Sequence, residues 1–304
     1  MIRASIDLGT NTCLLLISEW DESAGEVRSI VEDHATVVRL GQGVDQNRTL
    51  HPDAIERTLT CLTRYSEIVR KHGLNPAQAA CVATSQARDA KNGPDFFKQV
   101  ERKTGFRFQV ISGDQEAKYT FLGALLPGMK SETVAVIDIG GGSTEFMSST
   151  GGQSLDIGSV RFTERYLKSD PVQDAEFWAC QEAIDVALEK MKPWRKQQKQ
   201  DLELVAVAGT ATTLAAWFLE LDRYDRNTLD GCILTNGDLH RMVEELKWRT
   251  VAEREQLVGV EKGRADVLLA GSLILWRATE LLNFDHVRVS TRGLRFGVLR
   301  LPAL

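Results

Sequence analysis

The sequence predicts an α/β chain made of two similar halves. Three observations carry that prediction. Asp7-Leu8-Gly9-Thr10-Asn11 and Asp138-Ile139-Gly140-Gly141-Gly142 each follow a short apolar run and share the order acid, aliphatic, glycine. Each half opens with three strand-like segments before its helices begin. The length, 304 residues, exceeds one average domain and suits two. Self-similarity at a spacing of about 130 residues indicates a duplicated domain rather than a short repeat. The turn-rich stretch Pro127 to Glu132 sets the expected boundary, giving domains 1–127 and 128–304.

The elements follow in order. Ile2 to Ile6, Leu14 to Ile17 and Val27 to Val31 read as a meander of antiparallel strands with bends at Gly9 and Gly25. His51 to His72 reads as a helix with Pro52 in its first turn and Gly73 ending it. A strand at Ala79 to Ala83, a helix at Pro94 to Thr104, a strand at Phe106 to Ile111 and a helix at Gln115 to Leu126 complete the first half. The second half starts with strands at Thr133 to Ile137, Thr144 to Ser148 and Ser154 to Ile157. Helices are expected at about 159–168 and 173–191, then a strand at Leu204 to Ala208 and a helix at Ala211 to Leu221. Thr235 reads as the N-cap of a helix running to Trp248. Arg264 to Leu282 is a long helical pattern, followed by a strand at Val287 to Ser290 and a helix at Leu294 to Leu301.

Composition narrows the function. Hydrophobic residues at 43% and charged residues at 26% are those of an ordinary globular chain, so each half can bury a core. A net charge of −5 gives no global attraction to nucleic acid or an anionic membrane. No apolar window approaches the ~20 residues of a membrane span, and the first residues do not read as a signal peptide, so a cytoplasmic location is expected. Five cysteines without a CxxC pair point to reduced thiols. Five scattered histidines give no zinc spacing.

The two glycine loops carry the chemistry. A strand ending in a glycine turn lets backbone amides approach a phosphate. Hydroxyls of Thr10, Ser143 and Thr144 add donors, and a strand-end Asp can hold Mg²⁺. Either loop alone also reads as a plain hairpin turn, but two loops opening two similar halves favour the phosphate reading. Ala208-Gly209-Thr210 joins a strand to a helix, where free amides favour an anion; an ordinary strand-to-helix turn looks the same. Ser290 to Arg295 is a fourth such junction. Glu116 follows a strand end and suits an acid that activates water, or, with Asp114, a complement to a helix dipole. Glu145 could share a metal with Asp138 or face solvent. Arg88 could clamp a phosphate or be a solvated loop arginine. The GxxxxGK[ST] and GxGxxG patterns are both missing.

Taken together, the segments Ile6 to Thr12, Ala83 to Ala90, Ile111 to Ala117, Val136 to Glu145, Gly209 to Thr212, Arg264-Ala265-Asp266 and Gly293 to Val298 resemble the exopolyphosphatase / guanosine pentaphosphate phosphatase family, a branch of the actin-like ATPase superfold. The resemblance covers the whole chain. It implies two actin-like (ribonuclease H-like) domains, each with a five-stranded mixed sheet flanked by helices, and an interdomain phosphate cleft. It implies Mg²⁺ held by Asp138, Glu145 and Asp7, and phosphate contacts from Gly9, Thr10, Asn11, Gly140, Gly141, Gly142, Ser143, Gly209 and Thr210. Glu116 would act on the attacking water and Arg88 on the phosphate chain. The implied substrates are inorganic polyphosphate or guanosine pentaphosphate, and a homodimer is a further expectation from the family alone. Gln115 stands where the family often has a second acid, which keeps a guanosine tetra/pentaphosphate or nucleotide sensor with little catalysis as the alternative.

Overall fold

The computed structural model describes residues 1–300 apart from Ala24 and Lys262. The chain divides into two compact units. One takes residues 1–123 together with the segment beginning at Leu294, and the other is the continuous run 124–293.

In the first unit, β1 (Ile2–Leu8), β2 (Thr12–Asp21) and β3 (Glu26–Val37) form the antiparallel meander. β4 (Ala80–Ala83) pairs parallel to β1, and β5 (Phe108–Val110) parallel to β4. The strand order is β3-β2-β1-β4-β5. Alternate side chains of a strand face opposite sides, and here both sides are apolar. Ile6, Leu8, Leu15, Ile17, Cys81 and Ala83 pack with Leu59 and Leu62 of the helix Pro52–Lys71 and with Phe96 and Val100 of the helix Gly93–Thr104. Leu16, Ala80 and Val82 face the other way.

That second face is covered from the far end of the chain. Leu294 and Val298 cluster with Ala80, Val82 and Ile111, while Phe296 and Leu299 cluster with Leu16 and Trp20. The helix Leu294–Val298 therefore belongs to the first unit, and the expected domain 128–304 loses its last segment. The helix stops at Val298, short of the expected extent, with residues 299 and 300 in a turn; the expected end at Leu301 lies outside the described residues. The seat is close: a Cβ on Gly297 would lie 1.8 Å from the carbonyl oxygen of Tyr119. Ser5 Oγ donates to the Arg295 carbonyl at 2.6 Å, and the Arg295 guanidinium meets both oxygens of Asp33 at 3.0 and 3.1 Å. Arg295 is buried and Asp33 only partly so, and removing the carboxylate weakens the pairing of a buried charge. Asp33→Asn is expected to lower unfolding stability by about 3 kcal/mol, read as a shift of the urea midpoint.

The second unit repeats the plan. β6 (Val134–Ile139), β7 (Thr144–Ser148) and β8 (Gly151–Leu155) form a meander. β9 (Glu203–Val207) and β11 (His286–Val289) add in parallel. Read from β8, the order β8-β7-β6-β9-β11 matches that of the first sheet, so the same plan is present in both units. The sheet has six strands rather than five, because β10 (Ile233–Thr235) pairs antiparallel to β11 at the edge. Three residues directly before a helix cap are too few for alternation to reveal a strand. The Thr235 cap itself is present, as a capping box with Asp238. The helix Ala265–Leu281 is buried on most sides and packs against helices Ser159–Tyr166, Asp174–Glu189 and Asn236–Trp248.

All five cysteines are thiols, four of them buried. Among the described residues, no helix is long and apolar enough to cross a membrane.

Candidate active site

The two acid-aliphatic-glycine motifs fold into the same hairpin. In the first, Leu8 pairs with Cys13, leaving Gly9 to Thr12 as a four-residue loop. Gly9 N–H donates to the Thr12 carbonyl at 3.0 Å. In the second, Ile139 pairs with Thr144, and Gly140 N–H donates to the Ser143 carbonyl, again at 3.0 Å. The loop carbonyls are tied back in both. The Thr10 carbonyl accepts from Gly41 N–H, and the Asn11 carbonyl from Val38 and Arg39 N–H, each at 2.9 Å. In the second loop, the Gly140 and Gly141 carbonyls accept from the N–H groups of Ser159 and Arg161 at 2.9 and 3.0 Å. With the carbonyls engaged, the N–H groups of Thr10, Asn11, Gly141, Gly142 and Ser143 reach no backbone acceptor among the described residues. A run of such amides can form an anion-binding concavity.

Tight packing holds each loop. A Cβ on Gly41 would sit 2.3 Å from Thr10 Cγ2. Gly158 lies almost as close to its loop, and a Cβ there would be 2.4 Å from the Gly141 oxygen. Thr10 Oγ1 also meets Ser85 Oγ at 3.1 Å.

In the first unit the structure brings Arg88 and Glu116 together. Glu116 sits in the first turn of the helix Gly113–Ala124 and is only 7% exposed. Arg88 lies on the short helix Ser85–Asp89, so it is not a loop residue. Its Nη1 donates to the Ile111 carbonyl at 2.8 Å and lies 4.0 Å from Glu116 Oε2, the outer limit of an ion pair. Gln115 has a local role. Ser112 N–H donates to its Oε1 at 3.0 Å, and Gln115 N–H donates to Ser112 Oγ at 3.2 Å. This is a reciprocal capping box.

In the second unit, Asp138 pairs directly across from Glu145. Both are buried, at 8% and 1% exposure, so the solvent-facing alternative for Glu145 is excluded. Ser154 Oγ donates to Glu145 Oε1 at 2.7 Å. Like charges directly opposite on a sheet repel, and a divalent cation relieves that repulsion. Two carboxylates are the hard oxygen donors with which Mg²⁺ is held beside phosphate oxygens and water, so the pair fits the ion. Asp7, the counterpart of Asp138, faces Leu14 instead. Among the described residues no group of three or more metal-ligating side chains is assembled.

The third loop adjoins the second. A Cβ on Gly271 would lie 2.5 Å from Thr210 Oγ1 and 3.3 Å from Ser159 Cβ, so this glycine lets the two loops sit over one helix. Ala208 takes a positive φ of 66°, a costly backbone for alanine. The Arg264 guanidinium lies against Gly209, where a Cβ would be 1.6 Å from its Nη1, and its Nε is 2.7 Å from Glu261 Oε2. Sequence reasoning assigned no role to Arg264 or Arg161. An arginine at a helix start normally reads as surface, and only its burial distinguishes it.

A sequence profile of the Ppx/GppA phosphatase family matches residues 17–301. The chain belongs to that family. It is 33% identical over 314 residues to Exopolyphosphatase 2 of Mycobacterium tuberculosis, covering 97% of this chain and 96% of the relative. It is 32% identical over 312 residues to the bifunctional 3-dehydroquinate synthase/phosphatase of Fusobacterium nucleatum, covering 98% of this chain but only 46% of that protein. Among solved structures, the PPX-GPPA enzyme of Aquifex aeolicus superposes with a TM-score of 0.80 at 33% identity, with 99% of each chain covered. Membership places the chain among hydrolases that act on phosphoanhydrides.

Proposed function

We propose that this family member is an Mg²⁺-dependent exopolyphosphatase that releases orthophosphate from the end of inorganic polyphosphate, from the 5′-γ position of guanosine pentaphosphate, or from both. The observation that carries the reading is the duplicated loop, whose carbonyls are tied back and whose amides are left to receive phosphate oxygens. Gly9, Thr10 and Asn11 serve one loop, Gly140 to Ser143 the other, and Gly209 and Thr210 take phosphate further along the substrate. Asp138 and Glu145 would hold Mg²⁺, which when bound would neutralise charge on the phosphoryl oxygens; Asp7 is a separate candidate carboxylate in the first unit. Glu116 orients and deprotonates the attacking water in line with the leaving phosphate. Arg88, beside Glu116, contacts the phosphate chain. A cytoplasmic homodimer accompanies this reading. The sensor alternative drew in part on Gln115, and the capping bonds to Ser112 give that residue a structural role of its own.

The test is phosphate release with Mg²⁺ or EDTA on long polyphosphate, tripolyphosphate, guanosine pentaphosphate and ATP. Release that depends on Mg²⁺ and favours polyphosphate or guanosine pentaphosphate supports the reading; release from none of the four rejects it. In the same assay, Asp138→Asn should raise the Mg²⁺ needed for half-maximal rate by at least about tenfold, the loss that even an outer-shell partner carries.

A further inference from the structure

We infer that Arg161 is a positioning residue for the second glycine loop, acting through the carbonyl of Gly142 so that the loop amides face an anion. The inference rests on the phosphate-loop reading above. Gly9, Thr10, Asn11 and Thr12 correspond in turn to Gly140, Gly141, Gly142 and Ser143, because both turns close with the same i to i+3 bond. The carbonyls of the second and third loop residues are tied back in both units, but by different means. In the first, backbone N–H groups of residues 38, 39 and 41 do all the work. In the second, backbone N–H groups reach only Gly140 and Gly141. The Gly142 carbonyl, counterpart of the doubly held Asn11 carbonyl, accepts from Arg161 Nε at 2.7 Å.

The substitution has a physical reason. Three consecutive glycines have no Cβ to restrict them and lose the most conformational freedom on ordering. The first loop carries Thr10 and Asn11 at the matching places and is stiffer by itself. A glycine run needs an outside anchor, and a carbonyl left loose would turn its partial negative charge toward a bound phosphate. A guanidinium is a suitable anchor, since it is always charged and donates in a fixed planar geometry. Arg161 is only 4% exposed, and it sits two residues after Ser159, in the first turn of the helix that holds the other two carbonyls. Desolvating a cation is costly unless its partners repay it. The position thus has a stated use.

The experiment compares wild type, Arg161→Met and Arg161→Lys. The amide resonances of Gly141 and Gly142 are followed by ¹⁵N NMR without ligand and during titration with inorganic tripolyphosphate, and kcat and KM are measured on the same compound. In Arg161→Met, the Gly142 resonance should move and broaden, the tripolyphosphate-induced shifts should shrink, and kcat/KM should fall by about ten- to a hundredfold, as misplacement of a positioned group does. Arg161→Lys should lie between the two. Loop resonances and titration shifts in Arg161→Met that match wild type would overturn the inference. Should that variant fail to fold, the Arg161 Nε–H resonance of the wild type decides: it should exchange slowly and respond to tripolyphosphate, and a silent or fast-exchanging signal counts against the role. If wild type hydrolyses nothing, the proposed activity fails, while the loop resonances still judge Arg161.

Discussion

Replacing Glu116 with glutamine should lower kcat for phosphate release by about a thousandfold, within the range that a general base contributes. Affinity for polyphosphate should stay within a few-fold of wild type, because the change keeps the side-chain shape and removes a negative charge near an anionic ligand. The buried setting makes the residue suited to this work. Glu116 sits almost out of water at a helix start, with Arg88 at the outer limit of an ion pair. A carboxylate so placed is held close to one position, as the proposed role in orienting water requires. Steady-state release and calorimetric binding, measured on the same preparation, separate the two effects. Undiminished hydrolysis would remove Glu116 from the mechanism. Lost binding together with lost turnover would recast it as a structural residue.

Gly158→Ala should badly damage the second glycine loop. The added Cβ would lie 2.4 Å from the Gly141 oxygen, 2.5 Å from its carbonyl carbon and 2.5 Å from that of Gly142. These are backbone atoms, already tied through Ser159 and Arg161, so nothing flexible can swing aside. The loop must lift away from the helix Ser159–Tyr166. Overpacking of this kind costs about 1–3 kcal/mol of stability. The larger effect is on chemistry, where a loop displaced by an ångström should cost about a hundredfold in kcat/KM. Gly209→Ala offers the contrast. Its new methyl meets the end of the Arg264 side chain, which can rotate away, so a milder loss is expected. Rates and urea midpoints on both variants test the pair; similar losses would show that the Gly158 contact has no special place.

The hairpin loops were legible in the sequence because their signals are local. An apolar strand, an acid and a glycine lie within a few residues of one another, and the second loop repeats the first. Burial of Glu145 was not legible, since a strand residue beside a loop can face either way; only its register opposite Asp138 places it inside. Gln115 read as a departure from the family pattern, whereas its side chain caps a helix through Ser112. Gly41, Gly158 and Gly271 went unread for one reason. Each is required by contact with another segment, Thr10, Gly141 or Thr210, and nothing adjacent in the chain announces it. The helix Leu294–Val298 was assigned by contiguity to the wrong unit. The apolar residues that receive it, Leu16, Ala80 and Val82, are ordinary strand positions, and the open face they form exists only once the sheet is built.

That returning helix sets an order of events during synthesis. The second unit is a single uninterrupted stretch, so every part of it has been made by Gly293. The first unit begins with the first strand yet waits for Leu294 to Leu299 before Leu16, Ala80 and Val82 are covered. Nascent chains leave the ribosome in sequence order. The part begun first is therefore finished last, with an apolar sheet face exposed while the later unit folds. A chain stopped at Gly293 would keep a complete second unit beside a first unit with that face bare. Translation stalls and nonsense mutations at that point would thus produce a nearly complete chain with a sticky face, a natural client for chaperones and proteases.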